Sequence, residues 1–215
     1  IKILKKIYYL PLIVLSGQIK MLNKENLIMI LDKLFDQSKK NYDDFNSADA
    51  KIGDGDLGIT ILHGLEEIQK NKESFGNDMG ENFKVCSKAF VKRSGSSFGT
   101  LIAFSLMNIS KKMQGKTYCD HNDIISFFET ALKTILERGK TNLGDKTIAD
   151  TLDLIIKKIK KSNNYNNDIK SACLEALENF KGKKILIGRA RMFEDKTKEF
   201  DDPGMFALSK LCEVF

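Results

Sequence analysis

A chain of 215 residues is long enough for one domain with a substantial core, and 42% apolar with 30% charged residues is a globular composition. The formal net charge of +6 suits phosphate-bearing ligands, but the lysines are scattered and no nucleic-acid motif occurs, so nucleic acid is not an expected partner. The four cysteines form no CxxC pair, and the two histidines complete no zinc pattern with them; reduced thiols in a cytoplasmic protein are expected.

Residues 1–20 open with lysines and carry an apolar run, Tyr8 to Leu15. The run resembles a short signal peptide but is too short to span a membrane, and no small-residue cleavage site follows. Met21 reads like a natural start. Residues 1–20 are therefore expected to be an extension, and 21–215 a single domain with no membrane partner.

Apolar residues three and four apart predict a helix from Leu22 to about Asp44, through Leu27, Ile30, Leu31, Leu34 and Phe35. An acidic, glycine-rich stretch follows, Ser47 to Thr60, and a helix from Ile59 to about Lys72. A short helix is expected over Glu81 to Lys92. The small-residue loop Arg93 to Thr100 leads into a markedly apolar helix, Leu101 to about Met113, expected to be buried on most sides. Asn122 or Asp123 caps the next helix, which carries Ile124 to Ile135. A loop, Arg138 to Asp145, precedes a helix over Lys146 to Lys161, and another spans Asp168 to Phe180. Gly188 opens a polar segment that ends at Asp202-Pro203-Gly204, and a last helix covers Met205 to Val214. Ile185 to Ile187 is the only strand-like piece. About eight helices in an all-α fold result, with the glycine motifs in inter-helix loops.

Three carboxylates, Asp49, Asp54 and Asp56, lie within eight residues among Gly53, Gly55 and Gly58. Carboxylates on a glycine-bent backbone suit a hard cation such as Mg²⁺, and the helix N-terminus beside them suits phosphate. Gly53-Asp-Gly-Asp-Leu-Gly58 also reads as G-x-G-x-x-G, but no strand precedes it, and Asp54 and Asp56 would face a pyrophosphate unless a cation lay between. A calcium loop lacks its later Glu ligand. The remaining alternative is that the aspartates cap helices and line a turn. The loop from Ser94 to Thr100 offers backbone N–H and hydroxyl groups to phosphate, or simply allows close helix packing. Gly144-Asp145-Lys146-Thr147 reads as a helix start with Asp145 as cap. Arg189 suits phosphate better than lysine does. His63 reads as packed or exposed rather than nucleophilic.

Together these loops resemble the DhaL family, the nucleotide-binding subunits of dihydroxyacetone kinases, which also form the C-terminal domain of single-chain kinases. Four motifs carry the resemblance: Asp49-(x)4-Asp54-Gly-Asp56-x-Gly58, Ser94-Gly-x-x-Phe98-Gly-Thr100, Arg138-Gly-Lys-(x)3-Gly144-Asp-Lys-Thr147, and Gly188-Arg-Ala190 with Asp202-Pro-Gly204. The resemblance implies an up-and-down barrel of eight helices with the nucleotide site in the loops at one end. It implies two Mg²⁺ ions on Asp49, Asp54 and Asp56, and ADP or ATP against the backbone of Leu57, Gly58, Ile59 and Thr60. Ser94, Gly95, Gly139, Ile148, Arg189, Asp202, Pro203 and Gly204 would complete the nucleotide site. It implies no covalent nucleophile, a separate sugar-binding (DhaK-like) subunit that holds the ketose, and in some members a phosphoprotein donor (DhaM-like). A regulatory protein of the same fold that binds a transcription regulator is the second expectation. Several positions depart from the family pattern. Leu57 stands where histidine is usual, Leu143 where proline is usual, and Lys92-Arg93 where two glycines are usual. The segment Arg191 to Phe200 replaces a run of small residues.

Overall fold

The computed structural model describes residues 21–93, 95–162 and 164–215. The expectation for residues 1–20 lies outside them. Nine α-helices run through the described chain: α1 (Lys24–Lys40), α2 (Tyr42–Ala50), α3 (Leu57–Asn71), α4 (Met79–Arg93), α5 (Ser97–Met113), α6 (His121–Gly139), α7 (Ile148–Ile159), α8 (Tyr165–Phe180) and α9 (Pro203–Leu211). The first two form one broken rod. Asn41, at the break, donates from its side chain to Gln37 O at 2.9 Å, so the chain bends there without glycine or proline. Each rod then packs on the next in sequence, and α9 returns to α1 and α2, closing an eight-rod ring. The expected all-α, up-and-down arrangement of eight rods is what the chain adopts. Phe45 on α2, fully buried, meets Phe206 on α9 edge to face at 6.2 Å and seals the closure.

The rods form where the apolar spacing predicts them. On α7, Leu152, Ile155, Ile156 and Ile159 are all buried, as the i, i+3, i+4 pattern requires. Several boundaries differ from expectation, each for a local reason. Asp120, not Asn122 or Asp123, caps α6, and Asp123 closes a capping box with it. Thr147 caps α7 with Asp150 as its reciprocal partner. Asp145 is not the cap; its carboxylate accepts from Asn142 N at 2.7 Å and Thr141 Oγ1 at 3.0 Å inside the loop. The apolar α5 is not buried on most sides. Ala103, Ile109 and Met113 face the core, but Phe104 is 41% exposed and Arg138 lies over its ring. A barrel rod has an outer face, and α5 covers part of its own with a cation on an aromatic ring. Ile185 to Ile187 forms no strand. The only sheet among the described residues is a short antiparallel pair, β1 (Leu22–Asn23) with β2 (Tyr118–Cys119). No helix among them is long and apolar enough to cross a membrane, and all four cysteines are free and buried.

Close helix approach is set by glycine. A Cβ on Gly64 would lie 2.3 Å from the Phe90 ring, so α3 and α4 meet at this point because the residue has no side chain. Gly64→Ala is expected to destabilise the fold by about 1–3 kcal/mol through overpacking, read from the urea midpoint.

Because rods alternate in direction, α3, α5, α7 and α9 all begin at the end where α2 finishes. Four helix N-termini are thus gathered at one mouth of the barrel, each directing N–H groups and the positive end of its dipole there.

Candidate metal and phosphate site

The acidic glycine loop begins on a helix. Asp49 lies in the last turn of α2, three residues after Asn46 and on the same face. Only six residues, Lys51 to Asp56, separate α2 from α3. That is too short for a calcium-binding helix–loop–helix, and no parallel strand supports a dinucleotide fold among the described residues.

The loop is folded by Asp49 itself. One carboxylate oxygen, Oδ2, accepts from Gly55 N at 2.8 Å and Asp56 N at 3.0 Å. Gly55 takes φ +77°, a conformation that favours glycine, and this turns Asp54 and Asp56 back toward Asp49. One carboxylate oxygen from each of the three aspartates lies within 4.8 Å of the others. Burial pushes the Asp56 carboxyl above its ordinary range, and the charges of Asp54 and Asp49 add to the rise. Three mutually repelling carboxylates held by the backbone are a fit for a divalent cation.

The helix-capping alternative fails for the decisive residue. Asp56 occupies the N-cap of α3 but makes no capping bond. Asn46 satisfies the first turn instead, its Oδ1 accepting from Gly58 N at 2.7 Å and Ile59 N at 3.2 Å. The Asp56 carboxylate is therefore not consumed by its helix. Gly58 is needed for this contact, since a Cβ there would sit 2.3 Å from Tyr42 O and 2.7 Å from Asn46 Oδ1. Leu57, where histidine is usual in the resembled family, turns its side chain into the core.

Most of the other expected site residues converge on the same mouth. Thr60 Oγ1 donates to Ser96 Oγ at 2.8 Å, and Ser96 Oγ accepts from Gly99 N at 3.1 Å as the α5 cap, so the starts of α3 and α5 are joined. Gly95 precedes that cap and is exposed; Ser94 lies outside the described residues. A Cβ on Gly204 would meet the Phe98 ring at 3.2 Å and Ile148 Cβ at 3.7 Å, which sets the first turns of α9, α5 and α7 side by side. Pro203 occupies the first turn of α9, where its missing N–H costs no bond. Asp202 caps α9 through Met205 N at 2.9 Å. Burial pushes its carboxyl up to about 7 against the Met205 and Gly204 N–H groups, so its charge changes across neutral pH. Gly139, the last residue of α6, packs against Leu101 on α5. His63 is partly buried on α3.

Residues 183–200 form a strap across this mouth. After Gly188 (φ +66°) it runs as 3-10 turns, Arg189–Glu199, interrupted at Glu194. Ile185 and Ala190 bury against Ile52 of the acidic loop with Phe200 beside them. Arg189 Nη1 pairs with Asp54 Oδ2. The strap is fastened by Lys146, whose side chain is 1% exposed. Its Nζ donates to Lys183 O at 2.9 Å, Thr197 O at 3.3 Å and Phe200 O at 2.7 Å. Leu186 N donates to Asp145 O at 3.1 Å.

A cavity of about 410 Å³ lies on the other side of α2. It is lined in part by Asp44, Ser47, Lys51 and Phe200 and opens on the α2 face opposite Asn46 and Asp49. The chemistry of the mouth, not its depth, marks the candidate site.

Residues 51–215 match the family model described as the DAK2 domain. The chain belongs to the DAK2 domain family. It is 26% identical over 190 residues to the PEP-dependent dihydroxyacetone kinase 1 ADP-binding subunit DhaL of Listeria innocua, covering 88% of this chain and 93% of that one. Against the PTS-dependent dihydroxyacetone kinase ADP-binding subunit DhaL of Lactococcus lactis it is 25% identical, covering 90% of this chain and 97% of that one. The dihydroxyacetone kinase of C. freundii shares the fold, with a TM-score of 0.71 at 19% identity over 90% of this chain. This chain spans only 35% of that longer kinase. The same kinase in complex with AMP-PNP and Mg²⁺ superposes with a TM-score of 0.68 at 20% identity.

In this DAK2 domain, sequence reasoning missed Asn46, Ser96, Lys146 and Asp150 as builders of the site. Thr147-x-x-Asp150 is a capping-box spacing, and Asn46 lies one helical turn before Asp49, so those two carried a local signal. The partners of Lys146 lie 37 to 54 residues away and gave none.

Proposed function

We propose that this chain is the nucleotide-binding subunit of a dihydroxyacetone-type kinase. It holds ADP or ATP with two Mg²⁺ ions and passes a phosphoryl group to a small ketose carried by a separate sugar-binding subunit. The observation that carries this reading is the Asp49–Asp54–Asp56 cluster beside four gathered helix N-termini, supported by curated relatives named as DhaL subunits over nearly their whole length.

The chemistry asked of this chain is positioning and charge neutralisation. Asp49, Asp54 and Asp56 would hold the metal, which when bound supplies charge to the phosphates. The first turn of α3 (Leu57, Gly58, Ile59, Thr60), with Ser94 and Gly95 of the segment that leads into α5, would bind the phosphates. Gly139, Ile148 and the Asp202-Pro203-Gly204 turn would enclose the rest of the nucleotide. Arg189 would bind phosphate with its planar fork. No nucleophile is required of this chain. Four free buried cysteines agree with a cytoplasmic setting. A phosphoprotein donor of the DhaM kind fits the PTS-dependent relative, and no feature of the site favours the regulatory alternative.

The test is reconstitution. This chain, a DhaK-like subunit, dihydroxyacetone and Mg²⁺ are combined with ATP, or with PEP and the phosphoprotein relay. Phosphorylated dihydroxyacetone is expected only when both subunits are present. Product formed equally well without this chain would contradict the proposal.

A further inference from the structure

Arg189 occupies an unusual position for a phosphate ligand. Its guanidinium pairs with Asp54, one of the three carboxylates of the cluster, so it is already the countercharge of the metal loop. It is presented from a fastened segment. Ala190 is buried with Ile52 and Ile185, and Lys146 holds the strap through three carbonyls. The pair itself is not packed shut. The two side chains are 62% and 50% exposed, so either can change partner without disturbing the core. A guanidinium on the Asp54 carboxylate and a divalent cation sharing that carboxylate would repel each other. Metal entering an empty nucleotide site must strand the arginine, whereas metal arriving with phosphate leaves it an equivalent anion.

We propose that Arg189 is a positioning residue that makes metal occupancy depend on nucleotide. It is paired to Asp54 in the nucleotide-free protein, and it transfers to a phosphate oxygen as the nucleotide enters, releasing Asp54 for the metal. The inference rests on the reading of the cluster as a metal–nucleotide site. The five donors of the guanidinium allow carboxylate and phosphate to be held together during the exchange, which an ammonium does less well. By linkage, nucleotide tightens metal and metal tightens nucleotide by the same factor, and Arg189 is a source of that factor.

The experiment is Mn²⁺ titration of the full chain by electron paramagnetic resonance, with and without ADP, for wild type, Arg189→Gln and Arg189→Lys. Without nucleotide, Arg189→Gln is expected to bind Mn²⁺ about threefold to tenfold more tightly than wild type. The tightening of Mn²⁺ by ADP is expected to shrink by about tenfold or more in Arg189→Gln and by less in Arg189→Lys. Mn²⁺ affinity in nucleotide-free Arg189→Gln that equals or falls below wild type overturns the proposal, as does undiminished tightening by ADP. Wild type that fails to bind ADP with Mn²⁺ would instead overturn the kinase-subunit reading. The nucleotide-free arm would then still report the competition between arginine and metal.

Discussion

Asp54→Ala is expected to weaken Mg²⁺-dependent ADP binding by at least about a hundredfold, roughly 2.7 kcal/mol, while the protein melts as wild type does. Asp54 is half exposed and its ion pair is with the exposed Arg189. Its removal therefore takes away a proposed metal ligand without removing a support of the fold. Calorimetry and thermal melting read the two effects separately; unchanged ADP affinity would remove the carboxylate cluster from the site. Asp49 behaves differently, because its Oδ2 also receives Gly55 N and Asp56 N. Asp49→Asn keeps an acceptor for those groups and is expected to lose binding alone. Asp49→Ala leaves them unpaired and is expected to lose about 1–3 kcal/mol of stability as well.

The same cluster fixes the sign of the pH dependence. Burial and the neighbouring Asp54 and Asp49 charges hold the Asp56 pKa above its unfolded value. Protonating Asp56 thus relieves repulsion in the metal-free fold, so this carboxyl adds stability as pH falls through its raised pKa. Metal needs the ionised form and competes with that proton. Mg²⁺ affinity is expected to fall as pH drops through the raised value, and Asp54→Asn, which removes one repelling charge, should move that fall to lower pH. A fall at the same pH in both proteins would show that the Asp54 charge does not act on Asp56.

Lys146→Met is expected to destabilise the protein by about 2–4 kcal/mol and to release the strap. The ammonium is buried and satisfies three carbonyls drawn from both ends of residues 183–200. Methionine fills similar volume but donates nothing, leaving those carbonyls short of a partner. It also keeps the same backbone demand at this position, where φ is +61°. Lys184, Lys196 and Lys198 place trypsin sites along the strap. Cleavage within 183–200 should accelerate well before global unfolding, and ADP affinity should fall because Arg189 loses its platform. Wild-type proteolysis and stability in Lys146→Met would contradict the role given to this lysine.

The rods were legible because their apolar residues recur at helical spacing, and the carboxylate cluster because its members are local in sequence. The break at Asn41 was not legible, since it depends on a side-chain bond to Gln37 rather than on glycine or proline. The start of α3 at Leu57 rather than Ile59, and the placement of Asp49 on a helix rather than in a loop, follow from tertiary bonds of Asn46 and Asp49. The apolar residues of the strap do not recur at helical spacing. Its shape comes from Lys146, Thr197 and Ile52, which meet only in the folded chain. Nor does spacing reveal that Arg189 pairs with Asp54, across more than half of the sequence.

The most direct measurement is calorimetric titration of ADP into the purified chain, first with Mg²⁺ and then with excess EDTA, after removing any nucleotide carried through purification. The metal–nucleotide site described above requires tight binding with Mg²⁺ that disappears with EDTA. Equal affinity under both conditions, or no binding under either, would contradict it.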